Sequence, residues 1–152
     1  MKVEDLLAFV RQHKIDAEFI DHQGADGLTS ESAASATGAP ISQLIKVLCF
    51  VDKKGNKCFA ICQGNKKIDP KKLPGLKKPR IADASELKQW FDLEPGCISP
   101  ICLPIGVPIY IDNGVARLPF VIGSAGSRFI GIKISPKYIT KQENSSALDI
   151  SL

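Results

Sequence analysis

Two apolar segments joined by a short polar turn are the feature that most constrains this chain. The first covers residues 44–51 and the second residues 58–62, and the turn between them offers Gly55 for a backbone conformation with positive φ. Near-continuous apolar runs are typical of strands that are covered on both faces of a sheet. The two segments therefore predict a buried β-hairpin at the centre of the fold.

Lys46 interrupts the first apolar segment. Burying an unpaired ammonium is unfavourable, so such a lysine either reaches water near the end of its strand or has an anionic partner. The pattern alone leaves both interpretations open. If the second is right, Lys46 marks a functional site in the central hairpin.

The length and composition fit one compact globular domain. The chain has 152 residues, of which 44% are hydrophobic and 24% charged, and this is an ordinary globular balance. No apolar run approaches the roughly 20 residues that cross a bilayer. The early acids Glu4 and Asp5 are unlike the start of a signal peptide. We therefore expect a cytoplasmic protein that is neither secreted nor bound to a membrane.

Hydrophobic periodicity and turn signals predict further elements around the hairpin. Helices are predicted over 3–13, 29–38 and 85–91 and after Pro136, strands over 17–20, 80–82, 108–112, 120–122 and 128–134, and a turn at 113–114. Short connections in the second half favour a mixed sheet, and hence an α+β fold, over a regular parallel array. We expect residues 1–142 to form the domain and residues 143–152, which have no clear pattern, to be a frayed tail.

A basic segment follows the hairpin. Residues 65–80 contain seven basic side chains and one acid. Such a run is typical of a solvated surface, but its single sign also suits a phosphate-binding face. The lysines that would contact a nucleic acid are Lys66, Lys67, Lys71, Lys72, Lys77 and Lys78.

Two loops are candidates for the functional site, one because it has little side-chain bulk and one because a proline fixes its path. Residues 123–127 are predicted to form a glycine-rich turn, whose N–H groups can hold an oxyanion, although a plain hairpin turn is the more common meaning. Residues 96–100 form a loop whose path is fixed by Pro100. Taken alone, this second loop indicates a turn and nothing more.

The five cysteines are expected to be free thiols. Neither the spacing of Cys58 and Cys62 nor that of Cys97 and Cys102 matches a zinc knuckle. A cysteine nucleophile would need a nearby histidine, and the chain has two histidines. Most of the cysteines are therefore expected to be small core residues rather than metal ligands or nucleophiles.

Five short motifs follow one another along the chain. They are Lys46 and the residues 64–69, 96–100, 126–128 and 134–136. No single motif is specific, but the ordered set resembles the YbaK/prolyl-tRNA synthetase-associated domain family from about Phe19 to Tyr138. The resemblance implies a single α+β domain with a mixed, barrel-like β-sheet flanked by helices. It also implies that the chain is a free-standing enzyme that hydrolyses wrongly aminoacylated tRNA.

The resemblance implies a role for each matching residue. Lys46 would engage the phosphate at the acceptor end of the tRNA. The loop that starts at Gly96 would wall the aminoacyl pocket, and Gly126 and Ser127 would lie near the ester. The residues assigned to substrate binding are Phe19, His22, Cys97, Ile98, Ser99 and Pro100.

The chain departs from the family pattern at three places. We expect glycine where Cys97 and Cys102 stand, and a smaller or more polar pair at residues 129–130. Both cysteines would narrow the pocket or change its polarity. The identity of the amino acid that is removed therefore stays open.

The implied chemistry needs no metal, no cofactor and no attacking cysteine or histidine. The loops would stabilise a tetrahedral oxyanion. Either a ribose hydroxyl of the substrate would help activate water, or the substrate's own side chain would attack when the aminoacyl group is cysteine. The partners would be aminoacyl-tRNA and, as a second candidate, an aminoacyl-tRNA synthetase, with no role for DNA. Two other classes stay open: a non-catalytic RNA-binding module, and a small-molecule hydrolase or anion-binding protein.

Overall fold

The structure is a computed structural model that describes residues 2–21, 34 and 37–152. The helices are α1 Val3–Gln12, α2 Ala84–Phe91, α3 Asn113–Ala116 and α4 Lys137–Thr140, with single 3-10 turns at Ile41–Gln43 and Pro70–Lys72. The strands are β1 Ala17–Asp21, β2 Ile45–Val51, β3 Lys57–Gln63, β4 Arg80–Ile81, β5 Ile109–Asp112, β6 Val121–Ser127, β7 Ile130–Ile134 and β8 Ser145–Leu148. Most of the helix predicted over 29–38 and the candidate residue His22 lie outside the described residues.

The strands form two sheets. The three-stranded sheet is antiparallel with the order β1-β7-β6. The five-stranded sheet has the order β4-β2-β3-β5-β8, antiparallel from β4 to β3 and parallel from β3 to β8. A parallel bridge between Leu44 and Ile122 joins the start of β2 to β6. The predicted α+β fold with a mixed sheet flanked by helices is confirmed, with its strands divided between two sheets.

Both faces of the central hairpin are covered, as the apolar pattern predicts. Alternate residues of β2 face the main core, which α1, β6 and β7 complete. The opposite, outer face of the hairpin carries a second, smaller core. The buried members of this second core are Phe50, Cys58, Ala60, Cys62, Ile68, Leu73 and Ile150. The basic segment and the C-terminal residues therefore cover the outer face of the hairpin.

The prediction of a frayed tail over 143–152 is wrong. These residues contain β8, which pairs in parallel with β5, and the side chain of Ile150 is fully buried. The buried carboxylate of Asp112 accepts hydrogen bonds from the N–H groups of Ile150 at 3.0 Å and Ser151 at 3.2 Å. The segment lacks strand periodicity of its own, so these partners determine its conformation.

Two predicted turns belong to regular elements instead. Asn113 and Gly114 begin α3, because the Asp112 carboxylate accepts a hydrogen bond from Gly114 N–H at 3.3 Å and caps the helix. Residues 123–127 continue β6, with a shift of register between Ser124 and Ser127. Small residues suit this strand because Gly123 packs closely against a neighbouring loop, and the sequence gives no sign of that contact. In the described part of the chain, no helix combines the length and apolar character needed to cross a membrane.

Candidate functional site

Lys46 lies on the outer face of β2 at the edge of the second core. Its side chain is partly buried, and its cross-strand neighbour is Cys62 of β3. Burial raises the pKa of the Cys62 thiol to about 11, and the nearby positive charge of Lys46 opposes that rise. No carboxylate of the described residues forms a salt bridge with Lys46. The ammonium is therefore available to an anion from outside.

The basic segment begins beside Lys46. Gly64 N–H donates to the carbonyl of Leu44 at 2.6 Å, which holds the end of β3 against the start of β2. The Cys62 thiol donates to the carbonyl of Lys66 at 3.7 Å. The structure thus places the first lysines of the basic segment next to the strand that carries Lys46.

The six candidate lysines of the basic segment are all exposed, but one of them is engaged. Lys72 Nζ lies 3.1 Å from a carboxylate oxygen of Asp149 and donates to the carbonyl of Ser151 at 2.7 Å. Its contacts hold the C-terminal residues against the segment. Lys72 is therefore less suited to phosphate binding than the sequence predicts, and the other five lysines remain candidates.

The loop that starts at Gly96 and the strand β6 share a small cavity. Cys97, Ile98, Ser99, Cys102 and Gly126 all line it, and its volume is about 10 Å³. A cavity of this size holds about one water molecule. The structure therefore brings together the two segments that the family resemblance places around the aminoacyl group, in a closed arrangement. Lys46 does not line this cavity.

Close packing around Gly123 connects this loop to the strand of Lys46. A Cβ atom on Gly123 would lie 3.0 Å from the ring of Pro100 and 3.4 Å from the side chain of Ile45. Pro100 is the last residue of the loop, and Ile45 directly precedes Lys46. A side chain at this position would crowd Pro100 and Ile45, so Gly123 suits the close approach of the loop, β6 and β2 at one point.

Gln142 is a residue that the sequence analysis missed. Its Nε2 donates to the carbonyl of Pro100 at 2.7 Å, and its Oε1 accepts from Leu103 N–H at 3.2 Å. The amide thus clamps both ends of the stretch that contains Cys102. An isolated glutamine gives no signal of such a role, which depends on where the chain places it.

Two other predicted site residues, Phe19 and Ser127, make contacts that stabilise the fold. Phe19 is partly buried and packs against the main core, and it does not line the cavity. Ser127 Oγ accepts from Phe129 N–H at 3.0 Å, and the Ser127 carbonyl accepts from Ser124 Oγ at 3.1 Å. These bonds shape the end of the β6–β7 hairpin around Gly126, whose φ is +86°.

Three of the five cysteines are buried core residues, as predicted. Cys49, Cys58 and Cys62 are buried, and burial raises the pKa of each thiol, to about 11, 12 and 11 respectively. Burial also raises the pKa of Cys102 to about 11, so this thiol is protonated at neutral pH and is a poor nucleophile. Among the described residues, no group of three or more His, Cys, Asp or Glu side chains is arranged to hold a metal ion.

Cys102 has a φ of +60°, in the left-handed region that favours glycine. We expect Cys102→Gly to be more stable than Cys102→Ala by about 1 kcal/mol, because both variants lose the thiol but only glycine adopts this φ without strain. Urea unfolding of the two variants measures the difference. An alanine variant as stable as the glycine variant would show that the backbone at this position is not strained.

The chain is similar to known proteins along most of its length. Residues 25–141 match the family described as the aminoacyl-tRNA editing domain. The chain is 28% identical to an Enterococcus faecalis protein named "Putative Cys-tRNA(Pro)/Cys-tRNA(Cys) deacylase EbsC", over 95% of this chain and 91% of that protein. It is 26% identical to a proline–tRNA ligase of Burkholderia orbicola, over 82% of this chain but 23% of the ligase.

A solved structure shares the fold. It is titled "Crystal structure of a putative trans-editing enzyme for prolyl tRNA synthetase" and superposes with a TM-score of 0.79 at 22% identity. The alignment covers 99% of this chain and 94% of that chain. At this level of identity the likeness shows a common fold and nothing about the residues of the site.

Proposed function

The chain belongs to the aminoacyl-tRNA editing domain family, and we propose that it is a deacylase that hydrolyses the ester of wrongly aminoacylated tRNA. One observation carries the proposal. Lys46, which has no carboxylate partner among the described residues, lies beside a basic segment and one residue from the point where β2, β6 and the loop of Gly96 meet. The Lys46 side chain itself faces the outer side of β2, away from the main core that borders the cavity, so in this proposal the ammonium binds a phosphate on the side of the basic segment.

Each part of this site has a proposed role. Lys46 binds a phosphate near the 3′ end, and the exposed lysines of the basic segment bind phosphates farther along the tRNA. The cavity beside Gly126 receives the aminoacyl side chain. Gly96 and Gly126 bring backbone N–H groups close to the ester, where they stabilise the developing oxyanion. A water positioned by the substrate's own ribose hydroxyl completes the reaction, with no cofactor.

The size of the cavity limits the aminoacyl group. A cavity of about 10 Å³ between Cys97 and Cys102 has to open before even a small side chain enters. We therefore propose that the enzyme removes small aminoacyl groups, with cysteine as the first candidate because the Enterococcus faecalis relative is named for it. Since that name and the match to a proline–tRNA ligase both involve tRNA(Pro), we also propose prolyl-tRNA synthetase as a partner.

The substrate is tested by comparing three charged tRNAs. Cys-tRNA(Pro), Cys-tRNA(Cys) and Pro-tRNA(Pro) are incubated with excess protein, and the release of the amino acid is followed over one turnover. The proposal predicts rapid release of cysteine from at least one tRNA and slow release of proline. Binding of all three without hydrolysis would instead indicate a non-catalytic RNA-binding module.

The basic segment gives a separate prediction. If its free lysines contact phosphates, tRNA affinity falls steeply with salt because counterions are released on binding. We expect Lys71→Glu with Lys78→Glu to weaken binding and to reduce the salt slope by about one per lost contact. Fluorescence anisotropy with labelled tRNA measures both quantities. Lys53→Glu with Lys54→Glu, in the hairpin turn, is the control for net charge, and equal effects of the two double variants would show a merely solvated surface.

A further inference from the structure

A second concave site lies on the outer side of the three-stranded sheet. This site, the β7 groove, has a volume of about 230 Å³, slightly below the roughly 300 Å³ at which small-molecule sites commonly begin. Its walls come from β1, from the residues before β6, and from the end of β7 with the first turn of α4. The residues that carry the inference are Asp16, Glu18, Phe120, Lys133, Lys137 and Tyr138.

Two ammonium groups of the groove are held against aromatic rings. Lys133 Nζ lies 4.2 Å from the centre of the Phe120 ring, and Lys137 Nζ lies 5.1 Å from the centre of the Tyr138 ring. Neither forms a salt bridge within the described residues, although Glu18 is the direct cross-strand neighbour of Lys133. Cations placed in this way are oriented by the rings and keep their hydrogen-bond donors for an anion.

Two hydroxyl groups of the groove accept hydrogen bonds from the backbone. The Tyr138 hydroxyl accepts from Asp16 N–H at 3.3 Å, and Ser135 Oγ accepts from Lys137 N–H at 3.4 Å. A hydroxyl that accepts one bond still has its own proton to donate. Together with the two ammonium groups, these hydroxyls give the groove a set of donors that suits the oxygens of a phosphate.

The opposite wall of the groove has acceptors. The carboxylates of Asp16 and Glu18 are exposed and form no salt bridge in the part of the chain that the structure describes. They repel a bare phosphate, but they suit a ligand that carries hydroxyl or amino donors beside its phosphate. A nucleotide has this combination, because its ribose and base carry such donors and its base can lie against an aromatic ring.

The groove lies near the proposed site. Lys133 pairs with Ile122 of β6, and Ile122 forms the bridge with Leu44, two residues before Lys46. Adjacent strands are about 4.8 Å apart and residues rise about 3.3 Å along a strand, so the Cα atoms of Lys133 and Lys46 are about 12 Å apart. The residues on either side of each lysine belong to the main core, so both lysine side chains lie on the side of their strands away from that core. One acceptor arm of tRNA can reach both.

We propose that the β7 groove binds one nucleotide of the tRNA acceptor arm, as a contact separate from Lys46 and from the basic segment. The inference rests on the proposed function, since it takes tRNA as the source of the nucleotide. The lysines and hydroxyls bind the phosphate, and the carboxylates of the opposite wall accept hydrogen bonds from the ribose or base. The contact would add affinity and fix the orientation of the acceptor arm.

The test uses the double variant Lys133→Gln with Lys137→Gln and the control Lys141→Gln. Lys141 follows α4 and does not line the groove. Binding of uncharged tRNA is measured by fluorescence anisotropy at several salt concentrations. We expect the double variant to bind about 10-fold more weakly, with the salt slope reduced by about one or two, and the control to bind like the wild type. Thermal melts verify that all three proteins are folded.

A second measurement identifies the source of the nucleotide. AMP and inorganic phosphate are titrated into the wild type while the NMR signals of the Tyr138 and Phe120 rings are followed. Shifts of these signals with AMP, together with weaker tRNA binding by the double variant, support the proposal. Shifts with AMP but unchanged tRNA binding would show a site for free nucleotides and overturn the assignment to tRNA, and no effect in either experiment would overturn the site itself.

The two proposals fail in different ways. A wild type that hydrolyses no mischarged tRNA, beside a double variant that still loses tRNA affinity, would refute the deacylase but support the groove. Normal hydrolysis with unchanged binding by the double variant would refute the groove alone.

Discussion

Replacing Lys46 with alanine is expected to lower the rate of deacylation by about 100-fold or more, since misplacement of a reacting group by about 1 Å has an effect of that size. Lys46 has no carboxylate partner among the described residues, and in the proposed function its charge holds the acceptor end in place. Because the side chain is only partly buried at the edge of the second core, its removal should change the free energy of unfolding by less than about 1 kcal/mol.

Two further variants at Lys46 separate its charge from its other properties, and one variant in the hairpin turn is a control. Lys46→Met keeps the length of the stem without the charge, and it should be as slow as Lys46→Ala. Lys46→Arg is also expected to be slow, because a planar guanidinium is larger and differently hydrated than an ammonium. Lys53→Ala removes a lysine from the hairpin turn and should keep the wild-type rate.

The measurement is single-turnover hydrolysis of a mischarged tRNA, with a thermal melt of each variant. A folded Lys46→Ala protein that hydrolyses the ester at the wild-type rate would remove Lys46 from the mechanism. The lysine would then be one that merely reaches water from the end of an apolar strand.

Replacing Ile150 with alanine is expected to lower the free energy of unfolding by about 2 to 5 kcal/mol, the usual range for a fully buried isoleucine. Ile150 is 0% exposed and belongs to the second core. Its carbonyl also accepts from Asp69 N–H at 2.8 Å, and Leu152 N–H donates to the carbonyl of Lys67 at 2.9 Å. The C-terminal residues therefore hold the basic segment in place as well as closing the core.

The matched control is Leu152→Ala, two residues along the same segment. Leu152 is 74% exposed, so its truncation should change the free energy of unfolding by less than about 0.5 kcal/mol. Urea unfolding of both variants gives the comparison. Equal stability of the two would mean that the last residues are not part of the folded core.

The central hairpin could be predicted from the sequence because its signal is local. Residues 44–51 and 58–62 are apolar without interruption except at Lys46, and β2 and β3 cover nearly the same residues. Helices α1 and α2 follow from periodicity and capping in the same way: Asp83 caps α2 by accepting from Glu86 N–H at 2.8 Å. In each case the residues that determine the element lie within it.

The elements that the sequence did not predict depend on distant residues. Strand β8 is held by β5, and the residues after it are held by the carboxylate of Asp112. The residues of β8 alternate too little to indicate a strand. The small residues of β6 suggest a turn when the sequence is considered alone. In the fold, the lack of a side chain at Gly123 makes room for Pro100 and Ile45, which pack against it. A local pattern does not contain such contacts.

The same difference between local and distant signals decides which parts of the candidate site could be predicted. Lys46 stood out because a charge interrupts an apolar run. The cavity between the loop of Gly96 and Gly126 was expected from the family resemblance, and no local pattern indicates it. Gln142, which clamps that loop from 39 and 42 residues away, had no signal at all.

The central claim is tested most directly by release of the free amino acid from a panel of mischarged tRNAs under single-turnover conditions with the wild-type protein. The account predicts that at least one tRNA carrying a small non-cognate amino acid releases it about 100-fold or more faster than the uncatalysed rate. An effect of at least this size is expected when the ester and the attacking water are held in position. Correctly charged Pro-tRNA(Pro) in the same panel should remain intact. Binding of tRNA without accelerated hydrolysis of any member of the panel would contradict the account.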